Sequence, residues 1–240
     1  MNTVEINNLS KIFKSFKAVD SLSFNIEDGS LLALLGVNGA GKTTTIKMLS
    51  CLLKPTNGDA NICGNSIKKN PQAVKEIISI SPQESSVAGG LTVRENLMFI
   101  CSIYGFDKKK AEEKCNQMLT DFGLTEYEHK KAKLLSGGNE RRLSIAMALI
   151  TEPKVLFLDE PTLGLDVLAR RKLWQTIEDL KGKITIILTT HYLEEAERLA
   201  DKIAVMAKGK LCAVGTADEL IQKTRTQRFE DAFVALCEEV

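Results

Sequence analysis

Between Gly36 and Thr44 the chain reads GVNGAGKTT, which fits the phosphate-binding loop pattern in full. Glycines at 36, 39 and 41 let the backbone fold so that successive N–H groups face phosphate oxygens. The cradle is expected to run over Gly36, Asn38, Gly39, Ala40, Gly41, Lys42, Thr43 and Thr44. A helix opening near Lys42 adds its positive end, the lysine reaches the β and γ phosphates, and Thr43 offers a hydroxyl to magnesium. Downstream, VLFLDE ends an apolar strand in two adjacent carboxylates whose side chains must point different ways. Asp159 is expected to face the metal, usually through its water, and Glu160 to polarise the water that attacks the γ phosphate.

A second anion site is written at Leu135 to Gly138, where LSGG opens the helical segment ERRLSIAMALI. The Ser136 hydroxyl and the bare amides of Gly137 and Gly138 would sit at a helix N-terminus. One phosphate group needs only one cradle. Two in one chain make sense if the second serves the nucleotide of another subunit.

These groups need a scaffold that brings distant segments together. The runs SLLALLG, EIISISPQ, KVLFLDE and KITIILTTH read as strands of a mainly parallel sheet covered by helices. Each ends in a residue able to do chemistry: the glycine loop, Gln83, the Asp159 and Glu160 pair, and His191. Ligands of open α/β sheets bind at the carboxyl ends of strands, so these endings predict one assembled site. VEINNL and SLSFNIEDG alternate as half-buried antiparallel strands do, and GDANICG resembles them. The pattern turns helical from Val93 to Leu149. The expected organisation is one domain over 1–240. Its core comprises 1–92 and 151–225 with an antiparallel β layer, 93–150 is a helical subdomain, and 226–240 is a short tail with no sizeable C-terminal domain beyond it.

Composition limits the alternatives. With 44% hydrophobic and 26% charged residues among 240, the chain can bury a core, which excludes disordered and collagen-like classes. The 32 basic residues are balanced by 31 acidic ones, so no bulk positive field points to nucleic acid. Cysteines at 51, 63, 101, 115, 212 and 237 form no metal-ligand spacing and suit a reducing compartment. The N-terminus lacks a secretory stretch, and no apolar run approaches the roughly 20 residues that cross a bilayer. A membrane role would require a partner.

In their order and type these motifs resemble the nucleotide-binding domain of ABC transporters over nearly the whole chain: the phosphate loop at 36–43, Gln83 in SPQ, LSGG, VLFLDE, Gly164 to Asp166, and His191. The resemblance implies an ABC ATPase fold and an ATP-hydrolysing subunit using ATP and Mg2+. It also implies a head-to-tail dimer, homo- or heteromeric, with each nucleotide between one subunit's loop and the other's Ser136, Gly137 and Gly138. Gln83 would touch the metal and sense a transmembrane permease, Glu160 would act on water, His191 would hold the γ phosphate, and Asp166 would cross the interface. Phe13 falls where the family places an aromatic against adenine, with Phe16 as rival. LTVRENLMFICSIYG, GGNERRLSIAMALI, GLD and RFEDAFVAL are similar to the ATPases of ABC-2-type exporters and the ABCA group. That branch implies export, with the chain cytoplasmic and peripheral on the inner face of the membrane. Asn139, Leu163, Val167 and Met147 depart from commoner family residues. A non-transport ABC ATPase, acting on DNA, on the ribosome or in assembly, is the competing reading. Only about 50 residues separate Gln83 from LSGG, which leaves room for one helical subdomain and none for long coiled coils.

Overall fold

A computed structural model describes residues 2–238. Met1 and the last two positions of the expected tail, 239 and 240, lie outside the described residues. The chain starts with a long hairpin, β1 (Asn2–Phe13) and β2 (Phe16–Glu27), followed by β3 (Leu31–Leu35) and α1 (Lys42–Leu49). Next come β4 (Asn57–Ile62), β5 (Asn65–Ser66), α2 (Pro71–Ile77) and β6 (Ile78–Ser81). Three helices follow, α3 (Val93–Ile103), α4 (Lys108–Asp121) and α5 (Gly137–Leu149). The remainder is β7 (Val155–Asp159), α6 (Val167–Glu178), β8 (Thr185–Thr190), α7 (Leu193–Leu199), β9 (Lys202–Ala207), β10 (Lys210–Gly215), α8 (Ala217–Thr224) and α9 (Phe229–Glu238).

The strands form a six-stranded sheet of order β10-β9-β3-β8-β7-β6 and a four-stranded sheet of order β2-β1-β4-β5. In the larger sheet every pair is parallel except β9 with β10, and the smaller one is antiparallel. The expected α/β class, with a mainly parallel core and an antiparallel layer, is the observed one.

All residues of β3, β7 and β8 are buried, as strands covered on both faces must be. Side chains alternate between faces. Leu32, Leu34, Val155, Phe157 and Ile187 pack with the antiparallel layer and α1. Leu31, Leu156, Leu158, Ile186 and Leu188 pack under α3, α4, α5 and α6.

Two features differ from the sequence expectation. The pair β9 and β10 adds an edge to the sheet, through KIAVMA and KLCAVG. The segment after 225, expected as a short tail, carries α9: Phe229, Ala232 and Leu236 are buried, with Phe233 partly buried against the same cluster on β3, β9 and α7. Their i, i+3, i+4, i+7 spacing places one helical face against the sheet. No helix among the described residues is long and apolar enough to cross a membrane.

Parallel register fixes where the chemistry falls. Leu35 pairs with Thr190, and Asp159 pairs with Thr189. The glycine loop, the carboxylate pair and His191 therefore leave the sheet at the carboxyl ends of its strands and at nearly one level.

Candidate functional site

Two glycines set the loop that follows β3. Gly41 has φ +99, and a Cβ there would lie 2.6 Å from the Ala18 carbonyl oxygen; one on Gly36 would lie 2.4 Å from that of Met206. Backbone from β2 and β9 approaches too closely for a side chain. The turn delivers Lys42 to the first helical position of α1, only 5% exposed. Its Nζ donates to the Gly36 carbonyl at 2.7 Å and lies 3.3 Å from Glu160 Oε1.

The carboxylates diverge as adjacent residues at a strand end should. Asp159 Oδ1 accepts from Thr43 Oγ1 at 3.2 Å and from Thr189 Oγ1 at 2.5 Å. Glu160 takes φ +48, a left-handed conformation that costs a non-glycine residue free energy and tends to mark functional positions. Its N–H is shared by the carbonyl and the hydroxyl of Thr189, at 3.1 and 3.0 Å. The side chain is held between Lys42 and His191, whose Nδ1 lies 2.7 Å from Oε2.

A cleft of about 360 Å³ gathers Asn38, Gly39, Ala40, Gly41, Lys42, Thr43, Thr44, Gln83, Glu160 and His191, with Phe16 and Ala18 on its wall. Phe13, the aromatic first expected beside a nucleotide base, is not part of this wall. Its ring sits 5.1 Å from Lys11 Nζ, and its hairpin neighbour Phe16, paired with it in register, faces the loop instead. Gly36 lies behind the cradle against Met206 and Ala40.

Ser136 and Gly138 line a different cleft, of about 210 Å³, with Asn139, Arg142, Asp166 and Ala169. Ser136 caps α5, its hydroxyl accepting from the Asn139 N–H at 3.4 Å. Gly137 is next to Leu165, and a Cβ on Gly138 would meet that of Ala169 at 2.9 Å, so α5 and α6 approach through this glycine. Asp166 caps α6, accepting from the N–H groups of Leu168 and Ala169 at 2.9 Å each. The two clefts share no lining residue.

Three participants carried no motif to reveal them. Thr189 donates its hydroxyl to the Asp159 carboxylate and accepts the backbone N–H of Glu160. Arg141 is buried on α5 and donates only to backbone carbonyls, and burial lowers its pKa to about 10 against the pull of Asp159 and Glu195. Glu195 on α7 is fully buried, accepting from Thr162 Oγ1 at 2.8 Å and Trp174 Nε1 at 3.0 Å; burial pushes its carboxyl up.

No cluster of three or more His, Cys, Asp or Glu among the described residues could cage a metal by itself. One carboxylate with a hydroxyl, Asp159 and Thr43, is the sparse oxygen set that suits magnesium shared with substrate phosphates.

Residues 19–163 match the family model described as ABC transporter. This chain belongs to the ABC transporter family. It is 41% identical over 218 residues to the daunorubicin/doxorubicin resistance ATP-binding protein DrrA of Streptomyces peucetius, a match covering 90% of this chain and 66% of DrrA. It is 42% identical over 224 residues to the human phospholipid-transporting ATPase ABCA3, covering 92% of this chain and 13% of that protein. The chain thus spans about two thirds of one relative and a small part of the other. A solved ATP-binding subunit of an ABC transporter superposes with TM-score 0.86 at 29% identity, covering 98% of this chain and 99% of that one. The ATP-binding domains of this family hydrolyse ATP, and this cassette is an ATPase of that kind.

Proposed function

We propose that this cassette energises a separate ABC-2-type membrane permease, in the direction of export, by hydrolysing MgATP sandwiched between two ATPase subunits. The observation that carries the reading is the presence of two clefts with no residue in common, one at the glycine loop and one at the N-terminus of α5. A second copy, or a close relative, placed head to tail would bring the Ser136 to Gly138 turn of one subunit, beside the second cleft, onto the nucleotide held by Lys42 of the other. Residues 93–150 act as the subdomain that carries Ser136, Gly137 and Gly138 to this cleft, which Asp166 and α6 complete.

In the closed pair Lys42 and the loop amides hold the β and γ phosphates, and Phe16 stacks on the adenine. Thr43, Asp159 and Gln83 hold magnesium, which neutralises phosphate charge when bound. Glu160 accepts the proton of the attacking water, His191 holds the γ phosphate while fixing the Glu160 carboxylate, and Asp166 stands at the interface.

The permease reading draws support from α3. Phe99, Ile103 and Tyr104 are exposed there, and Asn96 pins the loop following Gln83 to the same helix through two hydrogen bonds with Ala88, at 2.8 and 3.1 Å. This is apolar surface beside the segment that reports on bound magnesium. The DrrA name specifies drug resistance, which agrees with export. A position on the inner face of the cell membrane follows from the same partner.

Ser136→Arg tests the shared site. ATP binding by one subunit should persist while ATP-driven dimerisation, read by sedimentation or light scattering, is lost; normal dimerisation would sink the proposal. The ring assignment is tested beside it. Phe16→Ala should weaken ATP binding by about 3- to 10-fold, equivalent to about 0.5–1.5 kcal/mol of stacking, and Phe13→Ala should leave it nearly unchanged. Titration with a fluorescent adenine nucleotide distinguishes them, and the reverse order would return the role to Phe13.

A further inference from the structure

Arg141 is a buried cation with an unusual set of partners. It is 7% exposed and forms no ion pair among the described residues; its Nε donates to the Pro161 carbonyl at 2.9 Å and its Nη2 to the Asp159 carbonyl at 2.8 Å. Nη1 donates to the Pro82 carbonyl. These three acceptors belong to two separate segments. Pro82 immediately precedes Gln83, and Asp159 and Pro161 flank Glu160 on both sides.

The left-handed backbone of Glu160 is disfavoured for a non-glycine residue and persists where its surroundings hold it. Thr189 fixes its N–H, and Arg141 fixes the carbonyl before it and the carbonyl after it. Thr162, one residue beyond Pro161, is tied by its hydroxyl to buried Glu195 on α7. The helix that supplies Arg141 is α5, whose first turn is the Ser136 to Gly138 cleft. One planar guanidinium therefore connects the helix facing the opposite subunit to both the Gln83 segment and the turn that aims Glu160. A lysine in its place would present a single ammonium, with no fixed fork to span three carbonyls.

We propose that Arg141 is a positioning residue for hydrolysis: it sets the Glu160 turn and keeps it in register with Gln83 and with the α5 cleft. The proposal rests on the ATPase reading above and adds to it a side chain that touches neither nucleotide nor metal. Misplacement of a reacting group by about 1 Å costs on the order of 10²-fold in rate. A purely structural brace, by contrast, would lower thermal stability and the active fraction without a selective loss in the chemical step.

The test uses the whole chain and compares the parent with Arg141→Met and Arg141→Lys. The measurements are kcat, the ATP dissociation constant and the melting temperature, at a temperature where each protein is folded. Arg141→Met is expected to lose about 10²-fold in kcat per folded molecule while ATP affinity stays within about threefold. Arg141→Lys is expected to recover most of the melting temperature and only part of the rate. Turnover of Arg141→Met within about threefold of the parent, or an equal loss of affinity and rate, would overturn the proposal. If Arg141→Met does not fold, Arg141→Lys decides: a rate lowered about tenfold or more at unchanged affinity supports positioning, and a parental rate refutes it. A parent chain that fails to hydrolyse ATP would instead count against the function proposed above, before any variant is compared.

Discussion

Glu160→Gln is expected to bind MgATP within about threefold of the parent affinity while hydrolysing it about 10²-fold or more slowly. The substitution is nearly isosteric, and the turn that holds the residue is built from backbone. Its N–H donates to Thr189, and the carbonyls on either side accept from Arg141, so none of these bonds depends on the side chain. The glutamine oxygen can still accept from Lys42, as Oε1 does at 3.3 Å. What disappears is the basic oxygen proposed to face the attacking water, and the charge beside His191 Nδ1 at 2.7 Å. On the proposed reading affinity rests mainly on the loop amides and Lys42, so binding and chemistry should separate. Single-turnover hydrolysis of labelled ATP measures the rate, and equilibrium titration measures the affinity. A rate within a few-fold of the parent would remove Glu160 from the role of base.

How much of this site could be read from sequence depended on whether a function is carried by spacing or by approach in space. The phosphate loop was legible because several residue types must recur at fixed offsets to turn a backbone around phosphate. Strands β3, β7 and β8 were legible because burial on both faces leaves an unbroken apolar run, and each run ended at a residue with chemical capacity. Arg141 and Thr189 were not, since a side chain bonded to distant backbone carbonyls, or to a carboxylate on the next strand, imposes no pattern on its own neighbours. FKSF at the β1–β2 turn places two phenylalanines in register, and only the path of the hairpin past Gly41 decides which one faces the cleft. The C-terminal helix hid for another reason. FEDAFVALCE carries a helical stripe that is apolar enough to dock, but nothing local says that β9 and α7 will be there to receive it.

Lys42→Ala should fail one step earlier, with MgATP affinity falling by about 10²-fold. Hydrogen bonds to charged groups contribute about 1.5–3 kcal/mol each, and every 1.4 kcal/mol corresponds to a factor of ten in affinity. More than one bond is at stake, because the ammonium lies between the loop and Glu160, so it offsets repulsion between that carboxylate and the incoming triphosphate. Both Lys42 and Glu160 are buried, at 5% and 7% exposure, where salt screens little of that repulsion. The loss should therefore persist at high ionic strength, unlike one caused by a surface lysine. Groups in contact do not act additively, which supplies a sharper check: in a Glu160→Gln background, where the repelling charge is already gone, the same Lys42→Ala change should cost measurably less affinity. Calorimetric titration of the parent, the two single variants and the double variant gives the comparison. Equal losses in both backgrounds would mean that Lys42 acts on the phosphates alone, and an affinity within about threefold of the parent in a folded Lys42→Ala protein would remove it from the binding site altogether.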